Sequence, residues 1–236
     1  MDKKIRDKQK QILKVFAKNP GNFALSGGTA LELYYLRHRF SADLDFFSPK
    51  YDIKEIEKLI GLFRKETGSS IKFGTEFITP GKARVRFYEL KITGHTRPLK
   101  MDFVQDVVFD KPAIKRFKGV PVYAVENIYL KKIFTMTGTV LGQDELGREI
   151  TQGRRQARDV FDIYMLSKKI QPLHKFLAKL PVQFQRGMVH WYQTFSRHEL
   201  KVDLLDLDIY EKNFDARDMI IYLENEIKKL IKLVLR

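Results

Sequence analysis

The sequence predicts an α+β chain in two portions, an α+β part over roughly residues 1 to 120 and a helical part after it. Three observations lead there. Apolar residues recur at helical spacing over 3–18, after Ile53 and from about Ala124 onward. They alternate with period two across 71–109. Two short apolar runs flank the glycine pair Gly27-Gly28 at either side of a helix-like segment.

Each element follows from local pattern. Ile5, Ile12, Leu13 and Phe16 share one helical face, lysines occupy the rest, and Asn19-Pro20-Gly21 stops the helix. Phe23-Ala24-Leu25 reads as a short buried strand that runs into the turn Ser26-Gly27-Gly28-Thr29, and Ala30 to Leu36 has helical composition. Asp43 to Phe47 reads as a second strand, ended by Ser48-Pro49. Ile53, Ile56, Leu59, Ile60 and Phe63 then mark a helix. Ala83 to Tyr88 and Leu99 to Val104 alternate as strands. From Ala124 the pattern is helical: Val125 to Met136, 154 to 169, and on to Ile220 to Leu235. Thr137 to Gly153, with Gly138, Gly142, Gly147 and Gly153, reads as a mobile loop or insertion. The expected division is 1–123 and 124–236.

Composition bounds the function. The 236 residues carry 44 Lys+Arg against 29 Asp+Glu, a net charge of +15. Hydrophobic residues make up 44%, enough for a sizeable core, so disorder is not expected. No apolar run approaches the roughly 20 residues that span a bilayer, and the first residues lack the apolar core of a secretory signal. With no cysteine, disulfide scaffolds, thiol nucleophiles and thiolate zinc sites are excluded, and a reducing, cytoplasmic setting is expected. The five histidines show no metal-ligand spacing. A metal would therefore be held by oxygen, which favours a hard ion such as magnesium or manganese.

The candidate chemistry lies in three places. Gly27 and Gly28 remove side chains at a strand-to-helix turn, so backbone N–H groups there can face an anion such as a triphosphate, and Thr29 can add a hydroxyl. Asp43 and Asp45, two apart on a strand, project from one face and can share a divalent cation, while Leu44 points into the core. Asp102 interrupts a largely apolar strand; beside Asp43 and Asp45 it would complete a triad able to hold two metal ions for phosphoryl chemistry. Singly, each has a plain structural explanation: a turn, a solvated strand end, a surface residue beside Lys100. Together they point to metal-dependent phosphate chemistry, because like carboxylates on one face repel unless a cation relieves them.

Gly27-Gly28-Thr29-Ala30-Leu31 followed by Arg39-x-Ser41-x-Asp43-Leu44-Asp45-Phe46-Phe47 resembles the first motif of the AbiEii/AbiGii-type nucleotidyltransferase toxins, in the DNA-polymerase-β-like superfamily. Glu126 to Ile133 resembles that family's lysine-bearing helix, with Lys132 best aligned, and Arg158-Asp159-Val160-Phe161-Asp162 matches its Arg-Asp-x-x-Asp motif. The likeness spans about residues 22 to 167. This chain has Gly-Gly-Thr where some relatives have Gly-Ser, and its glycine-rich 138–153 stretch is longer than expected.

The resemblance implies a polymerase-β-like core, a mixed sheet flanked by helices, followed by a C-terminal helical bundle. It implies transfer of a nucleoside monophosphate from a nucleoside triphosphate to an acceptor hydroxyl, with magnesium or manganese. In that reading Asp43, Asp45 and Asp102 hold the metals; Gly27, Gly28, Thr29, Arg39 and Ser41 hold the nucleotide; Lys132 neutralises charge on the pyrophosphate side; and Arg158, Asp159 and Asp162 anchor that lysine and the nucleotide. Such toxins act on tRNA acceptor ends, which implies a tRNA partner, a cognate antitoxin and a part in phage defence. The charge distribution suits a polyanion: Lys82, Arg84, Arg86, Lys91, Arg97 and Lys100 face only Glu89 between 82 and 100. Arg84, Arg86 and Lys100 are the expected nucleic-acid contacts, joined by the lysines of the first helix or leaving those to solubilise the chain. A sugar-nucleotide glycosyltransferase and a non-catalytic RNA-binding protein are the alternatives, the first also using an Asp-x-Asp metal pair.

Overall fold

The structure is a computed structural model and describes residues 2–78, 83–138, 141–143, 149–151, 153–154 and 156–234. Lys82, Gly147 and Leu235, named above, lie outside the described residues. The chain divides into two compact units, Met1–Tyr35 with Phe40–Ile128 and Leu36–Arg39 with Tyr129–Arg236.

The first unit is built on a seven-stranded mixed sheet. Its strands are β1 (Ala24–Ser26), β2 (Leu44–Ser48), β3 (Ile71–Phe77), β4 (Val85–Leu90), β5 (Leu99–Gln105), β6 (Ile114–Phe117) and β7 (Val120–Tyr123), in the order β3-β4-β5-β2-β1-β7-β6. β2 pairs parallel with β5 and β1 parallel with β7; the other pairs are antiparallel. Helix α1 (Lys3–Lys18) begins at Asp2, whose side chain accepts from Ile5 N at 3.1 Å. Helix α3 (Ile53–Thr67) begins at Asp52, which accepts from Lys54 N at 2.8 Å, and ends at Gly68 with φ +59°. Both pack on one sheet face. Phe16 of α1 and Phe63 of α3 meet Phe46 of β2 at 4.6 and 6.1 Å between ring centroids, and Leu25, Leu44, Met101, Phe103 and Val122 line that buried face.

Between β1 and β2 the expected glycine turn is helix from its first residue. Gly27–Ala30 is an α-helical turn, α2, that widens into a π-helix over Leu31–Leu36. β6 and β7 were not legible as strands. They are four residues each, joined through Lys118 and Gly119 at φ 49° and 86°, the left-handed pair of a tight hairpin, and Pro121 disguises β7.

In the second unit α4 (Val125–Thr137), most of which belongs there, and α5 (Ala157–Lys169), α6 (Leu173–Leu177), α7 (Val182–Thr194), α8 (Arg197–Leu205) and α9 (Ala216–Val234) follow the expected helical pattern. α9 turns Leu223, Ile227 and Leu230 inward, and Tyr129 stacks on Phe176 at 4.1 Å. The segment expected as a loop carries an antiparallel ribbon, β8 (Leu141–Gln143) with β9 (Glu149–Thr151). Strands of three residues are too short for an alternation to show in the sequence.

Candidate active site

The sheet register brings two of the predicted carboxylates together. Asp45 on β2 lies opposite Ser26 of β1 on one side and Asp102 of β5 on the other. Neighbouring strands lie about 4.8 Å apart, and matched residues face the same way. Since Leu44, Phe46, Met101 and Phe103 face α1 and α3, Asp45 and Asp102 stand on the opposite face. Leu44 is fully buried, as expected.

Asp43 precedes β2 by one residue, where strand alternation no longer sets its side-chain direction. Among the described residues no three His, Cys, Asp or Glu side chains form a group that could hold a metal ion. The register thus brings Asp45 and Asp102 together as a strand-adjacent pair, with Asp43 at the entry to the strand. The pair still suits a hard divalent ion. Its donors are all oxygen, and magnesium commonly takes only one or two carboxylates, completing its shell with substrate phosphates and water.

Gly27 is required beside this pair for two reasons. Its φ is +70°, and a Cβ there would fall 2.0 Å from Oδ2 of Asp45. Gly28 follows, buried, in α2. The expected role of Thr29 changes: it is fully buried, its hydroxyl donates to the Asp43 carbonyl, and Ser41 O lies 3.3 Å away. It therefore pins the segment entering β2 and has no exposed hydroxyl to offer a phosphate. Ser41 serves through its backbone, its N–H donating to Glu32 at 2.9 Å and its carbonyl accepting from Gln9 at 2.9 Å. Gln9 also donates to Ala42 O at 2.9 Å, and Glu32 is ion-paired with the buried Arg6.

Gln9, Glu32 and Arg6 are positioning residues absent from the sequence-based set. One signal existed. Gln9 sits on the apolar stripe of α1, four residues after Ile5 and three before Ile12, where a polar side chain must find partners.

The expected basic face near Asp102 is also corrected. Register places Phe87, not an arginine, beside Asp102, and turns Arg86 to the α3 side with Phe103. There Arg86 is ion-paired to Glu57 at 2.7 Å and Glu76 at 3.1 Å and lies over the Phe73 ring. Arg84 precedes β4 by one residue. Lys100 shares the face of Asp102, across from Glu89. The lysines of α1 likewise belong to the helix behind the sheet.

The second unit gathers the remaining motif residues into a buried ion-pair network. Asp162, fully buried, accepts from Arg39 Nε and His38 Nε2 at 2.7 Å on Oδ1, and from Arg39 Nη2 at 2.8 Å and Lys132 Nζ at 2.7 Å on Oδ2. Lys132 also donates to Asp159 at 2.6 Å, whose other oxygen accepts from Arg154 at 2.8 Å. Burial is the largest influence on both carboxyls and would raise them. Arg39 and Lys132 at Asp162, and Lys132 and Arg154 at Asp159, outweigh it and hold both below the usual carboxylate range. Burial pushes His38 down despite Asp162, so the ring is neutral and donates through Nε2, leaving Nδ1 a buried lone pair without a hydrogen-bond partner. Arg158 Nε donates to Gln156 at 2.8 Å.

A mixed sheet with paired carboxylates beside Gly27 and Gly28 is the arrangement expected of a nucleotidyltransferase. A candidate nucleotidyltransferase from Helicobacter pylori is 20% identical with a TM-score of 0.57, over 97% of this chain and 96% of that one. JHP933 from Helicobacter pylori is 20% identical with a TM-score of 0.56, over 97% and 93%. At that identity the likeness speaks for the fold. No curated protein matches. The chain belongs to the nucleotidyl transferase AbiEii toxin family of type IV toxin–antitoxin systems, whose profile matches residues 11–226.

Proposed function

We propose that this nucleotidyltransferase moves a nucleoside monophosphate from a nucleoside triphosphate to the 3′-hydroxyl of a tRNA, with magnesium or manganese, as the toxin of a phage-defence system with a cognate antitoxin. The observation that carries it is Asp45 beside Asp102, with Gly27 cleared of any side chain at the Asp45 carboxylate. Asp45 and Asp102, with Asp43, would hold the divalent ion, which when bound supplies positive charge at the phosphates. Gly27 and Gly28, at the start of α2, would hold the triphosphate. Asp102 accepts the hydrogen bond of the acceptor hydroxyl and draws its proton away. The hydroxyl oxygen bonds to the α-phosphorus, the bond from that phosphorus to the bridging oxygen breaks, and pyrophosphate leaves.

Thr29, Gln9 and Glu32 hold the backbone that delivers Asp43 and Asp45. In the second unit Arg39, Lys132, Asp159 and Asp162 act as a frame whose charges balance one another, and Arg158 is the motif residue proposed to meet the nucleotide.

The test incubates the protein with magnesium, each labelled nucleoside triphosphate in turn, and total tRNA. Label is expected in RNA, and is expected to vanish on chelation with EDTA and in Asp45→Ala. Label absent from RNA refutes the acceptor; label transferred undiminished by an Asp43→Ala, Asp45→Ala variant refutes the assigned site.

A further inference from the structure

The carboxylate face of the sheet continues past Asp45 into a cavity of about 470 Å³ that the mechanism above leaves unused. That volume falls within the range of small-molecule and cofactor sites, roughly 300–1,000 Å³. One wall is Phe47, two residues beyond Asp45 on β2 and so roughly 6.8 Å farther along the same face. Phe47 faces Ala24 across the strand pair and is backed by Tyr123, 6.1 Å between ring centroids. The Tyr123 hydroxyl donates to Asp106 at 2.7 Å, and the other oxygen of Asp106 accepts from Val108 N and Phe109 N, so this wall is fixed. The rim carries two exposed cations, Lys50 and Arg116, against one acid, Asp110.

Direction selects the occupant. β1 runs through the cavity at Ala24, passes Asp45 at Ser26, and only then reaches Gly27 and Gly28. In phosphoryl transfer the attacking and leaving oxygens lie roughly in line. With pyrophosphate leaving on the Gly27 side, the attacking hydroxyl must arrive from the opposite side of Asp45, which is where the cavity lies.

We propose that this cavity is the acceptor subsite, taking the single-stranded 3′ end of an RNA with a base against Phe47 and a backbone phosphate between Lys50 and Arg116. The assignment rests on the proposed transfer to RNA and adds to it where the acceptor sits. Aromatic walls with cationic rims are how single strands are held, since every base has a stacking face and every linkage a phosphate.

The test separates the subsite from the reaction. In an Asp45→Asn background, binding of a fluorescent RNA hairpin with a short single-stranded 3′ end is measured against salt. Lys50→Ala with Arg116→Ala is expected to weaken binding about tenfold and to reduce the slope of log K against log salt by about 0.7, one phosphate on a single strand. Phe47→Ala is expected to weaken it about tenfold with the slope unchanged. Lys179→Ala, an exposed lysine of the second unit, is expected to change neither. In the active protein the Lys50, Arg116 pair is expected to raise KM for the RNA and leave KM for the nucleoside triphosphate unchanged. RNA affinity unaffected by all three substitutions overturns the subsite, as does a rise in the nucleotide KM in place of the RNA KM. A wild-type protein that transfers no label to RNA refutes the proposed reaction, while the binding series still decides the cavity.

Discussion

Gly27 shows how one residue can be fixed twice over, by its own backbone and by its neighbour's carboxylate. Gly27→Ala places a methyl carbon where Oδ2 of Asp45 now lies, and an L-residue is strained at φ +70°. Displacing a reacting-site group by an ångström costs on the order of a hundredfold in rate. We expect Gly27→Ala to lower kcat by at least that factor, read in the labelled-nucleotide assay, with far-ultraviolet circular dichroism unchanged. Thr29→Val keeps the shape and removes the hydroxyl held by the Asp43 carbonyl. Leaving that acceptor unsatisfied costs about 1–2 kcal/mol. A urea titration should show the loss, with kcat falling and KM for the nucleotide unmoved; a raised KM would return Thr29 to the phosphate.

At the scale of elements, α4 and α5 are joined by charge. Asp162 is the shared partner of the buried Arg39 and Lys132, so Asp162→Ala removes the charge that holds both and should cost about 3–5 kcal/mol in urea unfolding. Acidity acts on the network in two windows. His38 has a folded pKa below 6.5, so as pH falls past 6.5 the unfolded chain takes up the proton first and stability declines. His38→Gln retains a donor for Asp162 without titrating, and its stability should fall less steeply just below that pH. Asp159 and Asp162 are depressed below 3.8, so their contribution is intact above that value and is lost as pH drops through their folded values. Helix α1 illustrates the opposite case, charge without a site. Its apolar stripe covers the face away from Asp45, and Lys10→Gln with Lys14→Gln should leave KM for RNA within about twofold, as surface charges remote from a contact do.

For the whole molecule, a charge of +15 predicts binding to polyanions that weakens with salt, whatever its sequence. Most of that surplus is not at the carboxylates. α1 carries its share behind the sheet, and Arg86 is matched by Glu57 and Glu76. In the proposed reading, specific engagement rests on Lys100 on the carboxylate face and Lys50 and Arg116 at the cavity beside it. Removal of divalent metal with EDTA should abolish transfer yet leave RNA binding nearly unchanged, because those contacts are made by side chains.

The sequence by itself determined the strands that carry Asp45 and Asp102, the helices α1, α3, α4 and α5, and the family, because period-two and period-3.6 patterns and a compound motif are local properties of the chain. It also placed Gly27 at the junction of strand and helix, since a glycine there is written in one residue. Only the tertiary structure decided which face each strand residue takes relative to its neighbours. Parallel pairing of β2 with β5 set Asp45 beside Asp102, and antiparallel pairing of β4 turned Arg86 away from them. Packing within the first unit closed Thr29 onto Asp43, and packing within the second brought Asp162 to a lysine thirty residues earlier and an arginine far earlier still. Register and long-range ion pairing depend on how distant segments meet, and no window of sequence contains that information.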